Sequence, residues 1–431
     1  MKHRYNICDF GAQSDGTIAS TAAIQSALDA AGKTGGEVVV PSGAYLTGAL
    51  FLRSNTELLL EEGAVLLGSE QEFAYPLRPS RVAGIEMDWP AGILNILDAA
   101  HVYIHGKGTI DGQGEVWWRK YWGADGKGGM RALYERQGLR WAIDYDCARP
   151  RNVVVYNSDN VTIEGITLRR SGFWNLHLCY SRDVTVRGLV IQDNFGPSTD
   201  GIDIDSCCGV LVEDCRISCN DDNICVKSGR DADGLRVGRP CEDVIIRNNT
   251  LLEGEGITLG SETSGRIRRV RIEDNTFVGT KNGFRMKSAR TRGGVIDDVE
   301  VRGMHLRDVG RVLCFDFDWY RAYNQCQIPE DYIGSVPSHW HTLLIPVPEE
   351  QGLPKARNVR VQNIRAEHCD EAMYINGLVE APFEDFTFEN LSIHAKKMGE
   401  IANIRPLIFR RSEFFFGCGE ERSDHNGLAF A

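Results

Sequence analysis

A short β-rich motif recurs through the middle of this 431-residue chain and restricts the fold more than any other feature. A polar or glycine residue precedes an alternating apolar triplet in Asn160-Val161-Thr162-Ile163, Asp183-Val184-Thr185-Val186 and Gly209-Val210-Leu211-Val212. The pattern continues in Asp243-Val244-Ile245-Ile246, Arg269-Val270-Arg271-Ile272, Asp298-Val299-Glu300-Val301 and Asn358-Val359-Arg360-Val361. The first six valines, at 161, 184, 210, 244, 270 and 299, are spaced by 23, 26, 34, 26 and 29 residues. No long helical pattern intervenes. Strands at that spacing without helices between them predict an all-β solenoid of stacked coils, a parallel β-helix. At about 150 residues per domain the length alone would suggest two or three domains. Stacked coils need no single spherical core, so the repeat replaces that prior with one β-helix domain over 1–431.

Each central coil carries a second strand whose register is readable. Asn175-Leu176-His177-Leu178-Cys179 aligns with Gly201-Ile202-Asp203-Ile204-Asp205, then with Asn223-Ile224-Cys225-Val226-Lys227, Gly256-Ile257-Thr258-Leu259-Gly260 and Gly283-Phe284-Arg285-Met286-Lys287. The second and fourth residues are apolar in every case, so they point inward and the third and fifth outward. Near the start, Ser20 or Thr21 can cap a helix to about Ala31, with Ile24, Ala27, Leu28 and Ala31 on one face. Gly35-Gly36 ends it, and Val38–Val40, Leu58–Leu60 and Val65–Leu67 read as strands. Two stretches do not fit the coil, about 73–151 and about 313–355, and they hold most of the tryptophans. Excursions of this length wall functional sites in many folds, and their tryptophans can serve packing, sugar stacking or both.

Composition narrows the function. Lys+Arg 48 against Asp+Glu 60 gives a net charge of −12, which argues against a partner recognised by its phosphate backbone, so no nucleic acid. No apolar run reaches membrane-spanning length, so no membrane partner is expected. The 46 glycines lack a Gly-X-Y period and imply tight turns. Thirteen cysteines, an odd number with no CxxC pair, read as reduced, mostly buried thiols. Met1–Phe10 has no apolar leader pattern. The expectation is a cytoplasmic protein, with secretion left open. No P-loop or strand-linked GxGxxG occurs, so no nucleotide cofactor is expected. No metal site is expected either, and His339 and His341 read as solvated or stacking residues.

The register gathers acids. Asp200, Asp222, Glu255 and Asn282 each stand just before an outward strand in successive coils, and Asp221 precedes Asp222. With stacked strands about 4.8 Å apart, Asp200 and Asp222 should be near neighbours and Asp221 should share their corner. Crowded carboxylates raise one another's pKa, so one can be held protonated and serve as an acid beside an ionised base. Inverting glycosidases use such a pair at about 6.5–9.5 Å. Arg285 and Lys287 share an outward face, where Arg can grip a carboxylate with two hydrogen bonds and Lys supplies a point charge. That combination points to an anionic sugar whose carboxylate is held away from the cleaving acids. Asp-Asp alone is usually a turn and Arg-x-Lys alone a solvated face; their convergence in consecutive coils carries the reading.

Ser198-Thr199-Asp200-Gly201-Ile202-Asp203, Asn220-Asp221-Asp222, Gly260-Ser261-Glu262 and Arg285-Met286-Lys287, in that order and spacing, resemble the polygalacturonase family of glycoside hydrolases. Asp9-Phe10-Gly11-Ala12 with its helix and Ser228-Gly229-Arg230-Asp231-Ala232-Asp233-Gly234 resemble that family's bacterial members. The resemblance reaches to about residue 400. It implies a right-handed, single-stranded parallel β-helix with an N-terminal capping helix, and hydrolysis of α-galacturonide bonds with inversion. By position it implies Asp221 as general acid, Asp200 and Asp222 as the pair activating water, and Arg285 and Lys287 as the grip on the galacturonate carboxylate. Two positions depart from the family. Ser198 stands where Asn is usual, and Gly254-Glu255-Gly256 stands where a histidine-bearing motif is expected. Glu255 should raise the pKa of the water-activating pair. With Ser198 it is assigned to substrate binding, and it points to a modified galacturonide or rhamnogalacturonan.

The leading expectation is a glycosidase on galacturonic acid-containing oligosaccharides or polysaccharides, exo-acting if the excursions and the Ser228–Pro240 loop close one end of a groove. The alternatives are a pectate-type lyase with calcium on Asp200, Asp222 and Glu255, and a non-catalytic binding solenoid.

Overall fold

The computed structural model describes residues 3–417 and the backbone of the strand Asn426–Phe430. The chain folds as the expected right-handed parallel β-helix. Nearly all strands pair in parallel; the pairing of Ser412–Phe416 with Asn426–Phe430 is antiparallel. Two compact units are present: residues to Val82 with Glu86–Asp221, and Ala83–Ile85 with Asp222 onward.

The repeat valines stack in both units. In the first, Val161 pairs with Val184 and Val184 with Val210. In the second, Val244, Val270, Val299 and Val359 follow one another in register. All are buried. The residue before each valine has a positive φ: Asn160 (53°), Asp183 (50°), Gly209 (72°), Asp243 (56°), Arg269 (54°), Asp298 (57°) and Asn358 (56°). The coil turns there through the left-handed region, which Gly, Asn and Asp enter most readily. This conformation explains why the motif opens on those residue types.

The N-terminal helix Thr21–Thr34 buries Ile24, Ala27, Leu28 and Ala31 and ends at Gly35 with φ 71°. Ser20 does not cap it with its side chain; its hydroxyl accepts from the Gln13 N–H at 3.0 Å instead.

Both excursions are shorter than the sequence reading placed them. Within 73–151, Leu94–Leu97, Ala100–Gly106 and Thr109–Asp111 form a regular coil, each pairing on both sides. Leu94, Ile96, Val102, Ile104 and Ile110 are its inward residues, an alternation masked by the surrounding tryptophans. The excursion after it carries the helices Glu115–Trp122, Gly129–Arg136 and Ile143–Asp146. Within 313–355, Arg311–Asp316 is a coil strand pairing with Asn282–Lys287 and with Lys355–Asn376. Phe315 sits edge-on to Phe284 there, 5.4 Å between ring centroids. Trp89, Trp117, Trp141 and Trp340 are buried, so these four serve packing.

Candidate active site

In the first unit, Leu176–Cys179 pairs with Ile202–Asp205, setting His177 opposite Asp203 and Cys179 opposite Asp205. These outward residues are nonetheless buried, with Trp174 edge-on to His177 at 4.9 Å between ring centroids. Arg81 donates to Asp205 at 3.1 Å and to the Ser206 hydroxyl at 2.7 Å. Arg151 stacks over Trp174 at 4.9 Å and Arg149 over Phe173 at 4.6 Å. Desolvation lowers the Arg151 pKa to about 10, against the pull of Cys179, Asp203 and Asp205.

Asp200 ends the loop that follows the strand Val190–Gln192. The Thr199 hydroxyl donates to the Asn194 and Gly196 carbonyls at 3.0 and 2.8 Å. Arg149 donates to the Pro197 carbonyl at 2.5 Å, and Gly196 packs so close to Trp118 that a Cβ would stand 2.1 Å from it. The Asn175 amide donates to the Asp200 carbonyl at 3.0 Å. The helical excursion thus fixes this loop. Ser198 on it is half-buried, with φ 51°. Asp200 is buried and Asp221 half-buried. Carboxylate oxygens of these two lie within 4.8 Å, closer than the about 6.5–9.5 Å usual for an inverting pair.

Asp222, the next residue, belongs to the second unit and is 1% exposed. Ile224–Lys227, Ile257–Leu259 and Asn282–Lys287 stack in parallel, with Cys225, Thr258 and Arg285 in one column. Asp222 accepts from Lys287 at 2.8 Å and from the Thr258 hydroxyl at 2.5 Å. Arg285 Nη1 lies 3.6 Å from Asp222 Oδ1, the oxygen that accepts from Thr258. Burial pushes the Asp222 carboxyl up, but Lys287, Arg285 and Lys227 outweigh burial and hold it well below the usual carboxylate range. The expected mutual raising of the acids therefore does not hold for Asp222, because cations reach it directly.

Glu255 is no isolated extra charge either. It accepts from Lys281 at 2.7 Å, from Arg285 at 2.9 Å and from the Asn282 amide at 3.0 Å. Arg285 and Lys287 accordingly do not stand apart from the acids; they bind them. Trp319 lies beneath both, 4.8 Å from the Lys287 ammonium and 5.8 Å from the Arg285 guanidinium carbon. The Gly260–Ser261 peptide is cis.

Sequence reasoning missed Trp319, Asn175, Arg149 and Arg151 as neighbours of these groups. Thr258 was already in the outward column, which is the signal that predicts its contact with Asp222. Metal-ligand types meet at His177, Cys179 and Asp205, but Arg81 already occupies the Asp205 carboxylate there. Arg285, Lys281 and Lys287 likewise hold Asp222 and Glu255, so a calcium ion at these two acids would face three cations.

The family model for glycosyl hydrolases family 28 matches residues 37–335. A rhamnogalacturonase A/epimerase, pectate lyase-like model matches residues 4–59. The chain is 31% identical to a probable polygalacturonase of Vitis vinifera, over 91% of this chain and 74% of that protein. It is 28% identical to an exo-poly-alpha-D-galacturonosidase of Dickeya chrysanthemi, over 71% of this chain and 55% of that protein. Among solved structures, a hyperthermoactive exopolygalacturonase from Thermotoga maritima superposes with a TM-score of 0.79 at 26% identity, covering 95% of this chain and 92% of that one.

Proposed function

Because the chain belongs to family 28 of the glycosyl hydrolases, and is therefore a glycosidase, we propose that it hydrolyses α-galacturonide linkages of pectin-derived oligosaccharides, from a chain end and with inversion. The observation that carries this reading is the division of labour between adjacent acids. Asp222 is buried and kept ionised by Lys287 and Arg285, which suits a group that polarises water. Asp221 is more accessible than Asp200, which suits the acid that protonates the leaving oxygen, while the family resemblance assigns Asp200 and Asp222 to the water. Arg285 and Lys287 supply the charge for a substrate carboxylate, with Ser198 and Glu255 in the binding set. End-wise action draws on the names of the relatives from Dickeya chrysanthemi and Thermotoga maritima. Free thiols throughout the described residues suit a reducing, cytoplasmic setting.

The test is a panel of homogalacturonan and rhamnogalacturonan oligosaccharides, with the anomer of the new reducing end followed by NMR. An inverted anomer from galacturonan is expected. Rhamnogalacturonan cleavage alone would move the substrate to that polymer. A retained anomer would overturn inversion and recast the close Asp200–Asp221 spacing as that of a nucleophile and its acid. Calcium-assisted elimination is the poorer fit, since three protein cations occupy Asp222 and Glu255. An unsaturated product abolished by a chelator would reinstate it.

A further inference from the structure

A buried charge network ends on the residue beneath Arg285 and Lys287. Asp231 accepts from Arg292 Nη1 at 2.5 Å, from the Thr291 hydroxyl at 2.8 Å and from Arg230 Nε at 3.0 Å. Arg292 is fully buried. Its Nε donates to the Ser261 carbonyl at 3.1 Å, and its Nη2 donates to the Asn324 side-chain oxygen. With that oxygen held, the Asn324 amide donates to the Trp319 carbonyl and, at 3.1 Å, to the Tyr320 carbonyl. Tyr320 turns through a φ of 42° there. The Trp319 N–H donates to the Ser288 carbonyl at 3.1 Å. Ser288 follows Lys287 in the chain, so the Trp319 backbone is tied to the strand of the cations at one end and to Asn324 at the other. Arg230 secures the same turn, donating to the Tyr323 carbonyl at 2.8 Å and stacking over its ring at 4.4 Å.

We propose that Asn324 is a positioning residue, set by Arg292 and Asp231, that places the Trp319 indole against Arg285 and Lys287 and so fixes the two cations that receive a substrate carboxylate. The inference rests on the proposed role of that pair. Lys and Arg are among the side chains with most rotamer freedom to lose, and an aromatic face within about 6 Å attracts a cation. The Lys287 ammonium at 4.8 Å and the Arg285 guanidinium carbon at 5.8 Å both meet that distance. Each cation also holds an acid, Lys287 on Asp222 and Arg285 on Glu255, so one ring backs both pairs. Asn324 is itself buried and acts through Trp319. Its side chain joins an acceptor, used by Arg292, to an amine that serves two carbonyls. Aspartate would keep the acceptor and lose the donors, leaving two carbonyl oxygens facing a carboxylate.

The variants are Asn324→Asp and Trp319→Ala, alone and combined. A crystal structure of Asn324→Asp is expected to show the indole moved beyond about 6 Å from the Lys287 ammonium. In steady-state kinetics on a galacturonate oligomer, KM should rise about three- to tenfold in each single variant. The double variant should match Trp319→Ala alone, because Asn324 acts through that ring. A residue that merely braced the turn would add its own loss to that of Trp319→Ala. Trp319→Phe, which keeps an aromatic face, should raise KM less than Trp319→Ala. An indole unmoved in Asn324→Asp, an unchanged KM or additive losses overturn the inference. Should Asn324→Asp not fold, Asn324→Ser, which adds no charge, takes its place with the same outcomes. If the unmodified enzyme cleaves no galacturonide, the proposed function falls, while the position of the indole still decides this inference.

Discussion

Asp222 shows how little a carboxylate cluster determines until its cations are known. Burial alone would raise it, yet Lys287, Arg285 and Lys227 leave it ionised. Its depressed folded value fixes the sign of its linkage. The stability it contributes is present above the unfolded carboxylate value of about 3.9 and is lost as pH falls through the folded value. Lys287→Met removes the nearest cation from a buried anion. Such a loss costs about 3–5 kcal/mol when nothing replaces the partner, so a somewhat smaller loss is expected in urea denaturation at pH 7, because Arg285 remains. The acidic limb of kcat should move to higher pH in this variant, because the cation that most lowers the Asp222 pKa is gone. Asp221 carries a different expectation. Asp221→Asn keeps the shape and removes the proton, so kcat should fall about 10²–10⁴-fold with an unchanged denaturation midpoint. Retained turnover, measured by reducing-end release, would take the acid role from Asp221.

At the scale of the strand and its turn, the repeat was legible because two periods coincide, alternation within each triplet and a polar residue ahead of it. Those polar residues turn through positive φ, and this makes a test. Asn358→Ala places a Cβ of ordinary preference in the left-handed region and should destabilise by roughly 1–2 kcal/mol. Arg269 is the one long side chain in the series, held by Asp243 at 2.7 and 2.8 Å. Both partners are exposed, so that pair contributes little, and Arg269→Asn should be neutral or stabilising by a few tenths to about 1 kcal/mol. Chemical denaturation of both variants checks the contrast; equal losses would mean that the ion pair, not the turn, matters at 269. What sequence could not supply were partners set by tertiary packing. The coil at 94–111 has the right alternation but sits among tryptophans that drew the reading toward an insert. The contacts of Trp319 with Lys287 and of Arg149 with the Pro197 carbonyl join residues tens of positions apart. Neither follows a strand period.

For the whole molecule, a net charge of −12 must be reconciled with an acidic substrate. Cations concentrated at Arg285, Lys287 and Lys281 answer this locally, since fields from more distant surface charges are screened beyond about 8–10 Å at physiological salt. How the polymer is cut depends on what stands around the acids. In the first unit the helices Glu115–Trp122, Gly129–Arg136 and Ile143–Asp146 belong to the excursion whose Trp118 and Arg149 grip the loop ending at Asp200. On the proposed role of Asp200, an excursion that walls its loop would obstruct a chain that must continue past it and would favour binding of a chain end. Digestion of long polygalacturonate should therefore release one small product from the first minutes, with viscosity falling slowly relative to reducing ends. An early ladder of intermediate lengths with a rapid viscosity drop would mean that the polymer passes the helical excursion, and end-wise action would be rejected. Shortening the excursion between Gly123 and Gly138 while keeping Arg149 and Trp118 should then shift the products toward that ladder, because it would open the wall while leaving the loop of Asp200 anchored.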